Sequence, residues 1–116
     1  MATVTEQQAV VATVLDYFEG WFDGDLGRMD SALHSALAKR SFELKRTVTK
    51  EQMVAWTAEG EGKREDPGER GIEVEVVDLY GSIASAVVRS AVYREYLHLV
   101  RTVEGWKIVN ALWHHT

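Results

Sequence analysis

The sequence predicts an α+β domain in which helices come first and an antiparallel sheet follows. Apolar residues recur with the period of an α-helix in the first half of the chain, and from Ile72 onward they alternate with polar residues, as in strands. Segments ordered in this way are typical of the α+β class. The 116 residues suffice for one hydrophobic core, so we expect a single domain over residues 1–116.

The composition excludes several classes of protein. Hydrophobic residues make up 46% of the chain and charged residues 27%, which is typical of a folded domain. The absence of cysteine excludes a disulfide scaffold, a thiolate metal site and a cysteine nucleophile. The net charge is -5 and no basic run is present, so we do not expect nucleic acid as a partner.

The sequence also contains no signal for a membrane or for export. No apolar run is long enough to span a bilayer. Met1 to Gln8 has neither a basic residue nor a continuous apolar block, unlike a secretory signal. We therefore expect no membrane association and a cytoplasmic location.

The first helix is predicted over about Glu6 to Asp23. Thr5 and Gln8 have the spacing of a capping box at its start, and Gly24 is a typical terminator. Apolar residues occupy one continuous arc of this helix: Val10, Val11, Val14, Leu15, Tyr17, Phe18, Trp21 and Phe22.

Two more helices are predicted before the strands. Asp25 caps a short second helix with Leu26, Met29 and Leu33 facing inward, whereas Ser35 to Arg46 fits either a short strand or an irregular turn. A second capping box opens a third helix, in which Met53 and Trp56 point the same way: Thr49 and Gln52. Four glycines and many charges predict a mobile, solvated connector over Glu59 to Gly71.

Four strands complete the predicted fold. Short loops join them, so they form an antiparallel sheet. We place turns at Gly81–Ser82, near Arg94 and Glu95, and at Glu104–Gly105. The strands between them are Ile72 to Val76, Ile83 to Tyr93, Tyr96 to Val103, and Trp106 to His114.

Four segments carry a resemblance to a known family: Tyr17–Asp25, Met29–His34, Glu95–Arg101 and Gly105–Asn110. They resemble the nuclear-transport-factor-2-like superfamily, and within it the lumazine-binding and SnoaL-like branch. The resemblance implies a cone-shaped curved antiparallel sheet wrapped around N-terminal helices, a cystatin-like α+β barrel, with a pocket at its open end. Members include isomerases, dehydratases, cyclases, epoxide hydrolases and binding proteins, so the fold alone does not give the function.

Ketosteroid isomerases of this superfamily carry a tyrosine eight residues before an aspartate, and Tyr17 and Asp25 match that spacing. Their carboxylate base has no counterpart in Leu37–Phe42. Their second acid falls in the segment Leu97–Leu99, so His98 stands near that place. These two departures argue against steroid isomerase chemistry, because proton abstraction needs a base within hydrogen-bond reach.

The sequence predicts a pocket with two polar groups, Tyr17 and His98, which are also the candidate catalytic residues. Two alternatives stay open: Tyr17 as a core residue with its hydroxyl at a rim, and His98 on the outer face of the sheet. His114 and His115 point to opposite faces, so we expect neither a metal site nor a cofactor. The predicted ligand-binding residues are Tyr17, Trp21, Phe42, Met53, Trp56, His98 and Trp113.

Three functions follow as hypotheses. The first is a protein that binds a small apolar or aromatic molecule. The second is an isomerase, dehydratase or cyclase for a polyketide- or terpenoid-like substrate, and the third is a protein-interaction module without a ligand. We also expect a homodimer formed through the sheet, since the strands carry more apolar residues than one core needs: Val87, Val88, Leu97, Leu99, Ile108 and Leu112.

Overall fold

A computed structural model describes residues 4–116 and contains helices packed inside one curved sheet. The helices are α1 (Glu6–Asp23), α2 (Leu26–Ala32), α3 (Lys50–Ala58) and α4 (Glu61–Glu65). The strands are β1 (Leu33–Ser41), β2 (Arg46–Val48), β3 (Glu73–Tyr80), β4 (Ile83–Arg89), β5 (Tyr93–Thr102) and β6 (Gly105–His115). No helix among the described residues is both long and apolar enough to cross a bilayer. Part of Met1 to Gln8, the segment without a predicted export signal, lies outside the described residues.

Helix α1 has the predicted bounds and caps. Thr5 and Gln8 form the capping box, and Gly24 ends the helix in the left-handed conformation at φ 67°. The second capping box, at the start of α3, is confirmed as well. The apolar arc of α1 lies against the inner face of the sheet, where Tyr17 is 2% exposed and Phe18 3%.

The sheet contains six strands in the order β2-β1-β6-β5-β4-β3. The four predicted strands form antiparallel pairs, whereas β1 lies parallel to β6. The segment Ser35 to Arg46, which fits either a strand or a turn in the sequence, forms most of β1 and the turn that follows it. Leu33, expected on the second helix, begins β1 instead, because α2 ends at Ala32.

The turn between β4 and β5 lies earlier than predicted. The Ser90 hydroxyl accepts hydrogen bonds from the backbone N–H groups of Val92 and Tyr93, at 3.3 and 2.9 Å, so the chain reverses there. Arg94 and Glu95, expected in the turn, belong to β5. This displacement decides the identity of the site, because it places Glu95 on a strand whose alternate residues face the core. The last turn also lies one residue earlier, at Val103–Glu104, and Gly105 pairs with Thr102.

Three register shifts interrupt the sheet that wraps the helices. One lies between Val76 and Asp78 on β3, and one between Leu33 and Ala38 on β1. The third lies opposite His98 and Leu99 of β5, whose partners Asn110 and Ile108 skip one residue of β6. Such bulges increase the local bend and twist of a strand. The predicted α+β fold with a curved sheet around N-terminal helices is confirmed, and the sheet remains unclosed.

The predicted connector contains helix α4 and contacts α1, although most of its residues are exposed. Gly62 of α4 lies so close to α1 that an added Cβ would stand 2.0 Å from the Trp21 carbonyl oxygen. Arg70 ties the end of the connector to α1, since its guanidinium pairs with Glu19 and Asp23 as well as Asp66. The connector therefore closes one side of the open end of the sheet.

Candidate functional site

The open end of the cone contains a cavity of about 380 Å³. This volume lies within the usual range of small-molecule sites. Helices α1, α3 and α4 and strands β1, β2, β5 and β6 contribute its walls. The lining residues are Tyr17, Phe18, Trp21, Lys39, Leu44, Arg46, Val48, Met53, Trp56, Glu61, Glu65, Tyr93, Glu95, Trp113 and His115.

Five of the seven predicted binding residues line this cavity: Tyr17, Trp21, Met53, Trp56 and Trp113. They come from three different elements, α1, α3 and β6, so the fold rather than a local motif brings them together. The structure places the flat side chains of Trp56 and Trp113 on the cavity, and their role in binding stays a prediction.

His98 does not line the cavity, and its predicted placement beside Tyr17 is wrong. On β5 the residues Glu95, Leu97 and Leu99 are buried, so the alternation puts Tyr96 and His98 on the outer face. There the His98 ring lies 3.3 Å from the side-chain amide of Asn110. His98 is therefore no longer a candidate catalytic residue.

Phe42 is the second predicted binding residue that lies elsewhere. It is 77% exposed in the turn between β1 and β2. Leu37, Lys39 and Ser41 face inward on β1, so the next residue points outward. Leu44, two residues further along the turn, contributes to the cavity instead.

A buried polar cluster lies at the cavity and consists of Tyr17, Lys39 and Glu95. The Tyr17 hydroxyl donates a hydrogen bond to Glu95 Oε1 at 2.8 Å and accepts one from Lys39 Nζ. Lys39 Nζ also stands 3.6 Å from Glu95 Oε2. The Lys39 side chain is 10% exposed and that of Glu95 2%, so little water screens this cluster.

Burial shifts the pKa of every member of the cluster in the direction that favours the neutral form of the side chain. Loss of water lowers the pKa of Lys39 and raises that of Glu95, and the attraction between the two only partly offsets this. Burial, followed by the neighbouring Glu95 carboxyl, raises the pKa of Tyr17 well above its usual value. Clusters of this kind are enriched at functional sites.

Sequence reasoning missed Lys39 and Glu95, yet each left a signal. On β5 Glu95 has the same phase as Leu97 and Leu99, and on β1 Lys39 has the same phase as Leu37. A charged residue in an inward-facing position needs a partner. Lys39 and Glu95 have opposite charges, so their inward-facing positions favour a buried ion pair between them.

The rim of the cavity carries further polar contacts. Glu65 Oε1 accepts hydrogen bonds from the indole N–H of Trp21, at 2.8 Å, and from the Tyr93 hydroxyl. The Arg46 guanidinium lies 5.7 Å from the Trp56 ring centroid, within cation–π range. Glu65 was expected in a solvated loop, but it fixes two aromatic walls of the cavity.

Trp113 lies beside the cluster. Its ring stands 5.2 Å from Lys39 Nζ and packs edge-on against Tyr93, with centroids 5.5 Å apart. Trp113 is 8% exposed, and among residues 4–116 its indole N–H has no hydrogen-bond acceptor. A buried donor without an acceptor costs about 1–3 kcal/mol, which an incoming acceptor atom would recover if it reached this N–H.

The described residues contain no group of three or more side chains arranged to hold a metal ion. Glu43 lies 3.2 Å from His114 Nε2 and 3.0 Å from His115 Nδ1. The backbone N–H and the ring of His115 lower the pKa of Glu43. These contacts join the β1–β2 turn to the end of β6.

Comparison with known proteins identifies the family. The family model described as "Putative lumazine-binding" matches residues 5–114, so the chain belongs to this family. A search of the curated proteins finds no match. The lumazine-binding part of the resemblance recognised in the sequence is thereby confirmed.

Solved structures show the same fold. An NTF-2 like protein of unknown function from Silicibacter pomeroyi DSS-3 has 15% identity and a TM-score of 0.75, with 100% of both chains covered. An NTF2-like protein of unknown function from Shewanella baltica OS155 has 17% identity and a TM-score of 0.74, over 100% of this chain and 98% of that one. A domain with a cystatin-like fold from Nostoc punctiforme PCC 73102 has 14% identity and a TM-score of 0.67, over 99% and 80%. Such identities show the fold alone.

Removing the cation of the buried cluster should destabilise the protein in a pH-dependent manner. In Lys39→Met the buried Glu95 loses its counter-charge, so its pKa in the folded state rises further. Because the folded state then binds more protons than the unfolded state, the free energy of unfolding should fall as the pH rises from about 5 to 8. Near neutral pH we expect a loss of about 3–5 kcal/mol in urea unfolding.

The control is the double variant Lys39→Met/Glu95→Gln, which buries no charge at these two positions. It should regain much of the lost stability and vary little over the same pH interval. Lys45→Met, in the exposed turn, should behave like the parent. A Lys39→Met variant with the parent's stability at every pH would contradict the burial of the pair.

Proposed function

We propose that the protein binds a small, flat heteroaromatic molecule in the cavity. The observation that carries this proposal is the buried cluster of Tyr17, Lys39 and Glu95 beside a cavity with aromatic walls. Aromatic walls favour a flat ring system, and convergent polar groups fix its orientation. The family description adds lumazine, a fused ring with both N–H and carbonyl groups on its edge, as the natural first probe.

The cluster has hydrogen-bonding capacity for such an edge. The Lys39 ammonium can donate three hydrogen bonds and Glu95 accepts through two oxygens. A carbonyl of the ligand would accept from Lys39, and a ring N–H would donate to Glu95. A purely apolar ligand would use none of this capacity and would leave the buried Trp113 N–H without an acceptor, so the site favours a ring with a polar edge over a hydrocarbon.

Three tryptophans line the cavity: Trp21, Trp56 and Trp113. Lumazine should quench their fluorescence when it binds. Tyr17→Phe should weaken binding about tenfold, since it removes the hydroxyl that holds the other two members of the cluster. His98→Ala, on the outer face, is the matched control and should bind like the parent. Absence of quenching, or equal affinity of Tyr17→Phe and the parent, would contradict the proposal.

An isomerase or dehydratase is the second candidate, and one observation favours it. Glu95 and Tyr17 form a buried polar pair within hydrogen-bond reach, with Lys39 beside them. In this candidate Glu95 replaces the absent base of the resemblance, and Tyr17 or Lys39 polarises a carbonyl. Binding ranks first because Glu95 already pairs with Tyr17 and Lys39. Chemically altered ligand recovered after incubation would favour the enzyme.

The open cavity favours a ligand over an interaction module without one. We propose in addition that two copies pair through the outer face of the sheet. The excess of apolar residues on the strands supports this dimer only in part. Four of the six residues concerned lie in the core and are 1% exposed or less: Val88, Leu97, Leu99 and Ile108. The support that remains is a cross-strand row of Val87, Tyr96 and Leu112.

The two larger members of this row are half-exposed, Tyr96 at 52% and Leu112 at 46%. A twofold axis would lay the row against its own copy. Sedimentation at tens of micromolar should therefore give a dimer, and Tyr96→Glu should give a monomer. The ligand affinity of the variant should not change, because Tyr96 faces away from the cavity. A monomeric parent would refute the dimer.

A further inference from the structure

The amino group of Lys39 has unused bonding capacity at the cavity. It stands 4.9 Å from the Tyr17 ring centroid and 5.2 Å from that of Trp113. An ammonium carries three N–H donors. Among residues 4–116 only the Tyr17 hydroxyl lies within hydrogen-bond distance of this group, with Glu95 Oε2 next at 3.6 Å. Part of the nitrogen is therefore left to a ligand.

Tyr17 connects this amine to a proton acceptor. Its hydroxyl accepts a hydrogen bond from Lys39 and donates one to Glu95. If a proton moves from Lys39 to the Tyr17 oxygen while the Tyr17 proton moves to Glu95, the products are a neutral amine and a carboxylic acid. The net charge of the cluster does not change. Burial favours these neutral forms, as the directions of the Lys39 and Glu95 pKa shifts indicate.

We propose that Lys39 captures an aromatic aldehyde in the cavity as a Schiff base. This inference rests on the proposed binding function and gives it a narrower ligand class. A neutral lysine amine in a desolvated pocket is an effective nucleophile toward a carbonyl carbon. The aromatic walls would hold the ring of the aldehyde while its carbonyl meets the amine.

The chemistry balances with the groups present. The Lys39 Nζ lone pair forms a bond to the carbonyl carbon, and the carbonyl oxygen takes a proton from Glu95. The nitrogen then returns a proton to Glu95, which leaves a neutral carbinolamine. Glu95 protonates the hydroxyl, the C–O bond breaks and water leaves. The product is an iminium ion beside the Glu95 carboxylate, and no oxidant or reductant is needed.

The other four lysines provide internal controls. Lys45 and Lys63 are exposed. Lys50 pairs with Asp30 at 3.3 Å, and Lys107 donates to the Ser31 carbonyl at 2.6 Å. None of these four lines the cavity. An aldehyde that reacts only by random collision would favour the exposed amines over Lys39.

The test is reductive trapping with benzaldehyde and sodium cyanoborohydride near neutral pH, followed by proteolysis and mass spectrometry. We expect Lys39 to gain the aldehyde, less one oxygen atom, at least tenfold faster than Lys45. The same reaction in urea should lose this preference, because unfolding removes the cluster. Lys45→Arg should leave the labelling of Lys39 unchanged, and Lys39→Arg should abolish the fast label.

The outcomes separate this inference from the proposed function. Lys39 labelled no faster than Lys45 in the folded parent would overturn the Schiff base. If lumazine still quenches the tryptophans in that case, the binding function stands without covalent capture. If neither reaction nor quenching occurs, both proposals fail. Should Lys39→Arg not fold, the comparison of folded and urea-unfolded parent decides alone.

Discussion

Lys39 and Glu95 occupy a site that water barely reaches. The transfer of each ion from water into such a site costs on the order of several kcal/mol. Tyr17 makes the arrangement tolerable, since its hydroxyl bonds to both residues. Three distant segments of the chain must therefore meet within hydrogen-bond reach. The packing of α1 on the sheet and the order of the strands both serve this requirement.

The strand order explains how the cluster assembles. Strand β6 separates β1 from β5, so Lys39 on β1 and Glu95 on β5 lie two strands apart on the inner face. Their partners on β6 are Ala111 and Trp113. The small Ala111 side chain leaves room above the sheet for the long Lys39 side chain. Tyr17 reaches the same point from α1.

Much of the fold could be predicted from the sequence because its signals are local. Capping boxes, the apolar arc of the first helix and the alternation in the late strands all depend on residues close together in the chain. Tyr17 was found as a candidate because it lies on that arc. The cavity tryptophans could be predicted for a related reason, since large aromatic side chains are usually buried in a core or line a pocket.

The rest of the site depends on register, which local signals do not give. A turn misplaced by a few residues removed Glu95 from β5, and the ambiguity of Ser35–Arg46 hid the phase of Lys39. The wrong placement of His98 has a different cause. Its neighbours on β5, Leu97 and Leu99, are both buried, so His98 points to the outer face of the sheet. A one-residue change of phase moves a side chain to the other face of a sheet. The pairing of β1 with β6 joins distant segments and has no counterpart in local sequence.

Direct titration of the cluster by carbon NMR tests the central claim. The Lys39 Cε and Glu95 Cδ signals should be followed from acid to alkaline pH in the folded protein. The account predicts that Lys39 titrates below the usual lysine value of about 10.4, and Glu95 above the usual glutamate value of about 4.3. Ordinary titration of both groups would contradict it, because it would mean that water reaches them and that no buried cluster exists.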